Sequence, residues 1–364
     1  GWGFWFRVPG FWFRVPATPP SSLLLSQGRR VCYDGGMNVK SFCVLASLAA
    51  PAHAAPVTFT HMADASAGET AGPGMIVVAN DEDNLLRVYR LPDGGAPVTA
   101  WDLAPHMALE KKSPEMDIEG SARIVDTIYW ITSHAPNKTG KARPNRKRFF
   151  ATRLRVEEGR PRLEPVGQPV TALLDALDRD PRYAGFGLAA AALKPPKTPG
   201  SLNIEALCET VGGGLLIGFR SPLPDGNALI APLENPAGTV NGRPPRFGAP
   251  VLLDLGGNGI RAMVRTVEGV LILSGSALSG GEARLYAWNG RTDTPPVLRP
   301  VRFPSDTTPE GLIAIERDGV PDVLVLSDDG MRPVDGQPAK THPDPVRRTF
   351  RGLWLSVLTS GENP

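Results

Sequence analysis

Five times along this 364-residue sequence, a short phrase with a small or charged centre is followed by a run of aliphatic and β-branched residues. The phrases are Asp64-Ala-Ser-Ala67, Ile118-Glu-Gly-Ser121, Ile204-Glu-Ala-Leu207, Ile260-Arg-Ala-Met263 and Pro309-Glu-Gly-Leu312. The runs cover residues 75–79, 128–132, 215–219, 270–274 and 323–327, and each reads as a buried strand. A period of roughly fifty residues built from strands points to a repeat architecture, in which each unit buries its faces only against its neighbours.

Each unit continues with a second strand after a loop, at residues 86–91, 149–154, 228–233, 284–288 and 349–354. Four units then add a further β segment, at residues 97–103, 163–170, 250–255 and 296–303. Four strands per unit make the blade of a β-propeller. The fifth unit runs out of chain before its last strand, whereas residues 56–62 form an orphan strand ahead of the first phrase. Joining these two closes the ring and removes the open edge of a linear array. The expected fold is therefore an all-β, five-bladed propeller, with six blades as the alternative. A short helical insertion at residues 171–200, between the second and third blades, is expected from the runs at 172–177 and 188–193 and the proline-rich stop that follows. The 40 glycines and 38 prolines, nearly double the usual share, suit the many turns this plan needs.

The N-terminal part reads differently. Residues 3–9 and 10–16 repeat the heptad Gly-Phe-Trp-Phe-Arg-Val-Pro, and residues 1–36 are expected to be upstream translation. Met37 to Lys40 forms a short basic start, residues 41–50 are apolar, and Ala52-His53-Ala54 is a small-x-small cleavage site. Residues 37–54 are thus expected to be a signal peptide and 55–364 a single propeller domain, periplasmic or secreted in a bacterium.

The formal charge is +2, with 39 basic and 37 acidic residues. Residues 1–54 carry five of the bases and one of the acids, so residues 55–364 hold 34 against 36, a net −2. Nothing global favours nucleic acid. No apolar run reaches the length of a membrane span. Beyond residue 54 Cys208 is the single cysteine and the histidines are scattered, so neither a disulfide nor zinc spacing is expected. Residues 80–84 place three acids in five positions. Calcium is the metal they would take, through Asp81 and Asp83, but the loop lacks the EF-hand pattern, and a solvated hairpin is the simpler reading. Neither residues 211–215 nor 274–277 complete a phosphate loop or a nucleophile elbow.

Asp117-Ile-Glu-Gly-Ser121, Ser133-His134 with the basic stretch to Arg148, and Asn203-Ile-Glu-Ala206 leading to Gly218-Phe-Arg220 together resemble the DUF3616 family of bacterial propeller-like proteins of unknown function. The resemblance covers most of residues 60–355 and implies the fold, but no mechanism. The Glu-Gly phrases are also distantly similar to phytase-like esterase propellers, which implies phosphoester chemistry as one possibility.

If the recurring phrases are the innermost strands, Glu119, Glu205, Arg261 and Glu310 stand at equivalent places around the central channel. Crowded carboxylates raise one another's pKa, as acid–base work requires. Glu119, Glu205, Glu310 and His134 are the candidate catalytic residues. Arg220, Arg261 and Asp329 are the candidate ligand-binding residues. The cations of residues 138–148 read as a solvated hairpin or as a recruiter of small anions, without the aromatic interleaving that base stacking needs. The expected protein is a monomer that binds a small polar or anionic ligand in its channel and hydrolyses an ester or phosphoester there. The alternative is a non-catalytic propeller that scaffolds protein contacts.

Overall fold

The computed structural model describes residues 3–8, 11–16, 55–317 and 320–355. Contacts divide the chain into two units, residues 1–53 and 54–364. In the first unit β1 (Gly3–Val8) pairs antiparallel with β2 (Phe11–Pro16), so the repeated heptads are the two arms of a hairpin. Sequence reading assigned no element there, although aromatic and β-branched residues suit a strand. The rest of residues 1–36, and the expected signal peptide at 37–54, lie outside the described residues.

The second unit is a five-bladed β-propeller. It opens with β3 (Val57–Thr60), and blade one follows as β4 (Ala65–Thr70), β5 (Met75–Asn80), β6 (Leu85–Arg90) and β7 (Thr99–Asp102). Blade two comprises β8 (Ile118–Ile124), β9 (Thr127–Thr132), β10 (Phe149–Glu157) and β11 (Arg160–Val170). The insertion carries α1 (Leu173–Asp178) and α2 (Leu188–Ala191), close to where sequence placed them. Blade three is β12 (Asn203–Glu209), β13 (Leu215–Ser221), β14 (Ala228–Leu233) and, after α3 (Pro236–Val240), β15 (Val251–Leu253). Blade four is β16 (Gly259–Thr266), β17 (Gly269–Gly275), β18 (Arg284–Trp288) and β19 (Val297–Arg299).

Blade five contains β20 (Pro309–Arg317) and β21 (Val320–Ser327), then a small hairpin of β22 (Pro333–Val334) and β23 (Gln337–Pro338), and finally β24 (Thr349–Leu355). Its fourth strand is β3, in the order β20-β21-β24-β3, so the N-terminal strand closes the ring as expected. The innermost strands β4, β8, β12, β16 and β20 each pack against the next, and β20 returns to β4.

Both faces of each blade are covered, which is why the second strands are nearly continuous apolar runs. Five hydrophobic clusters fill the five interfaces between neighbouring blades. The cluster between blades two and three also takes Leu173, Leu177 and Leu188 from the insertion, whose helices are thereby fixed to the ring. Among the described residues no helix is long and apolar enough to cross a membrane.

Candidate functional site

Every innermost strand has the same irregularity. Its pairing with the second strand slips between Ala65 and Ala67, Ile118 and Gly120, Ile204 and Ala206, Ile260 and Ala262, and Pro309 and Gly311. The residues left over at these β-bulges are Ser66, Glu119, Glu205, Arg261 and Glu310. A bulge re-aims the side chain of the extra residue and is common beside functional sites. Here it repeats five times and builds one ring at the channel. In each blade the innermost strand begins, and the second strand ends, at this same end of the propeller, which we call the upper end.

Four ring members have partners within the protein, although Arg261 Nε makes no hydrogen bond. Ser66 Oγ donates to Ile118 O at 2.6 Å, joining blades one and two. Glu205, 5% exposed, accepts from Arg220 at 2.7 Å and from Asn203 at 2.6 Å. Arg261 lies between Glu205, at 3.5 Å, and Glu310, with which it pairs. Arg220 is fully engaged, since it also donates to Ser276 O at 2.8 Å and Leu278 O at 2.9 Å. The fifth member, Glu119, makes no hydrogen bond or ion pair with any described residue. Burial, followed by the charges of Glu205, Asp117 and Asp81, holds its carboxyl well above the usual range.

Beneath the ring the channel narrows. Gly68, Ser121, Leu207, Met263 and Leu312 stand two residues further along each strand, and with Ser66, Glu119 and Glu205 they line a small cavity of about 10 Å³. That is room for about one water. A larger ligand must therefore meet the ring from the upper end.

More acids surround that mouth. Asp64 precedes β4, Asp81 follows β5, Asp117 precedes β8 and Asp328 follows β21. Burial and the charge of Asp328 push Asp64 up to about 7, against the pull of Lys340. Burial and neighbouring acids hold Asp81 well above its ordinary value, and burial raises Asp117 and Asp328. Any side chain at Gly330 would displace the Asp64 carboxylate, because a Cβ there would overlap it. Sequence reading took Asp81 only as a calcium candidate beside Asp83, and missed Asp64, Asp117 and Asp328 as a site. Its signal was the repeat register, because Asp64 and Asp117 each stand two residues before a bulge.

These shifts set a pH dependence. Below about pH 4 Asp64 is protonated in both folded and unfolded chains. As pH rises from there to about 7, the unfolded chain releases a proton that the folded one keeps, so stability falls. His134 opposes this: buried and neutral, it is pulled down to about 4 and costs stability as pH falls from its ordinary 6.5 through that value. The acids outnumber it. Melting temperature is expected to be higher at pH 5 than at pH 8 by a few °C, roughly, and Asp64→Asn should flatten the difference. A thermal melt series across that range checks both.

The remaining sequence candidates lie as follows. His134 is 1% exposed and its Nδ1 bonds Thr132 O at 2.8 Å, so Nε2 is a buried lone pair without a partner. The charges acting on it most are Lys147, Arg148 and Asp175, rather than the ring acids. Asp329, 2% exposed, is held by Arg351 through two bonds of 2.7 and 2.9 Å and by Ser327 Oγ at 2.8 Å, a clasp between second and third strands of blade five. Asp83 pairs with Arg87 at 2.7 Å. Asp81 instead gathers with Asp64 and Glu82, their carboxylate oxygens within 4.8 Å of one another. Lys340 already supplies a cation there, lying 3.6 Å from Asp64 and paired with Glu82.

Residues 162–300 match the model of the family described as Protein of unknown function (DUF3616). The match runs from the outer strand of blade two through blade four. The Asn203–Arg220 phrase falls inside it, and the Asp117 and Ser133 phrases lie before it. No curated protein matches the sequence. Similar solved structures include a glutaminyl cyclase from Myxococcus xanthus, at 11% identity and a TM-score of 0.44, covering 83% of this chain and 94% of that one. Others are the Malassezia sympodialis allergen Mala s 1, at 10% and 0.38 with 77% of each chain covered, and a gluconolactonase from Xanthomonas campestris, at 14% and 0.36 with 76% and 74% covered. Fold likeness at this level assigns no activity.

Proposed function

We propose that the propeller binds a small polar ligand at the upper mouth of its channel and hydrolyses an ester or phosphoester bond there, with Glu119 as the proton donor. The observation that carries this reading is the inequality of the ring. Of five equivalent bulge residues, only Glu119 has no internal partner, and its surroundings keep its proton to higher pH. A general acid needs both properties. Asp81, whose Oδ1 is buried without a partner, is the nearby group suited to orient water. Glu205 and Glu310, with Arg261 and Arg220, form the rigid support beneath them.

Of the two bond types, the mouth supports a neutral or cationic ester better than an anionic phosphoester. Arg220 and Arg261 spend their charge on Glu205 and Glu310, so an anionic ligand would have to be met by Lys340 or by groups at the rim. The expected signal peptide at residues 37–54 supports the periplasm or the exterior as the setting, and the closed ring is consistent with a monomer.

The test is a panel of ester and phosphoester substrates offered to the purified protein, with Glu119→Gln, Glu205→Gln and Glu310→Gln beside it. Glu119→Gln is expected to lower turnover by roughly 10²–10⁴-fold while leaving the fold intact. The other two should act chiefly through stability. If no substrate is turned over and the triple variant retains every ligand the wild type binds, the scaffold reading stands instead.

A further inference from the structure

We propose that the upper end carries a second, separate surface: a cationic ridge that binds clustered phosphate groups. It is built from residues 103–117, which connect blade one to blade two, and residues 133–148, which connect the second and third strands of blade two. Asn145, 1% exposed, fastens the two loops together. Its Oδ1 accepts from Glu110 N–H at 2.9 Å, and its Nδ2 donates to the carbonyls of Glu110 and Ser113, both at 2.9 Å. Arg148, 4% exposed, reinforces the joint by donating to Met107 O at 3.3 Å and Pro144 O at 2.8 Å.

This fixed frame displays Lys111, Lys112, Lys138, Lys141, Arg143 and Lys147. The four lysines up to Lys141 are exposed, and Arg143 and Lys147 are half-buried. Among the described residues, none of the six forms an ion pair or a side-chain hydrogen bond. Elsewhere on the surface arginines are neutralised, as in Arg155–Glu164, Arg182–Asp180 and Arg291–Asp293. The ridge does not neutralise itself. Residues 133–148 contain no acid, and of the three acids in 103–117, Glu115 and Asp117 are bound by Arg146, which leaves Glu110. Gly140 lies against Leu193 and Pro195, so exposed Lys194 and Lys197 extend the same surface.

Holding like charges together on a rigid frame is unfavourable unless a multivalent anion offsets it. The six side chains offer charge without exposed aromatic platforms, which suits phosphate groups and not bases. The ridge shares Asp117 with the rim of the acid mouth through Arg146, but its six cations take no part in the reaction proposed there. Sequence reading saw four of the six, because Lys111 and Lys112 lie some thirty residues from the basic run and are brought beside it by the contacts of Asn145, Arg146 and Arg148.

The experiment measures binding of the full-length protein to long-chain inorganic polyphosphate, to phosphatidylglycerol vesicles with phosphatidylcholine vesicles as control, and to oligo-dT. Binding to polyphosphate or to the anionic vesicles is expected to weaken at least tenfold, roughly, between 50 and 200 mM salt. It should also fall by about tenfold or more in the variant Lys138→Gln, Lys141→Gln, Arg143→Gln, Lys147→Gln. Arg155→Gln with Arg162→Gln, on paired surface arginines, should leave it unchanged. Vesicle binding without polyphosphate binding assigns the phosphate source to lipid headgroups, and the converse assigns it to a soluble polyanion. Binding to neither, tighter binding to oligo-dT than to polyphosphate, or full retention by a folded quadruple variant overturns the proposal.

Discussion

Replacing Phe59 by alanine is expected to destabilise the propeller by about 3–5 kcal/mol, measured by urea denaturation. Phe59 sits on β3, the short strand that closes the ring, and is fully buried. Its ring stacks on Phe350 at 4.7 Å and meets Tyr89 edge-on at 5.1 Å, so one side chain holds blade five to blade one. The substitution removes apolar area and leaves a cavity in a cluster that includes Ile76, Val78, Ile313 and Leu324. It also weakens the pairing of β3 with β24, whose edge would otherwise be free to pair with another chain. Aggregation should therefore accompany the loss of stability. A change below about 1 kcal/mol, with no aggregation, would mean that β3 decorates the ring without closing it.

Arg220→Ala should cost a similar amount, about 3–5 kcal/mol, for an electrostatic reason. The substitution leaves the buried Glu205 carboxylate with the neutral Asn203 amide at 2.6 Å and, for countercharge, Arg261, whose Nε is 3.5 Å away and whose Nη2 pairs with Glu310. It also strips the Ser276 and Leu278 carbonyls of their donor, loosening the loop of blade four from blade three. Removing both charges, as in Arg220→Met with Glu205→Leu, should recover most of the loss, because breaking a buried pair costs far more than replacing it. A double variant as unstable as Arg220→Ala would show that the carbonyl contacts, and not the stranded carboxylate, set the cost.

Much of the architecture was legible because a propeller writes itself in the chain as a period. The strands following each phrase had to be apolar on both faces, and the missing fourth strand of blade five pointed to residues 56–62. The small elements were not legible: α3 and the β22–β23 hairpin are single turns and short pairings whose sequence signals are slight. Within the site, the repeat register placed Glu119, Glu205, Arg261 and Glu310 at equivalent positions, and the structure brings them into one ring. It could not show that Ser66 completes that ring, since its phrase carries no charge at the bulge. Nor could it show which acid is spare. That depends on Arg220 reaching Glu205 from the neighbouring strand, and on Asp329 being taken by Arg351, pairings that exist only once the blades are assembled.

The central claim is that Glu119 is the unsatisfied member of the ring and the group a ligand meets. The most direct measurement is a crystal structure of the protein with the tightest ligand from the substrate panel, supported by the pH dependence of its binding. A ligand polar atom within hydrogen-bond distance of the Glu119 carboxyl at the upper mouth, with binding lost as pH rises through the raised Glu119 pKa, is the predicted result. A ligand seated away from the mouth, with affinity unchanged in Glu119→Gln, would contradict it.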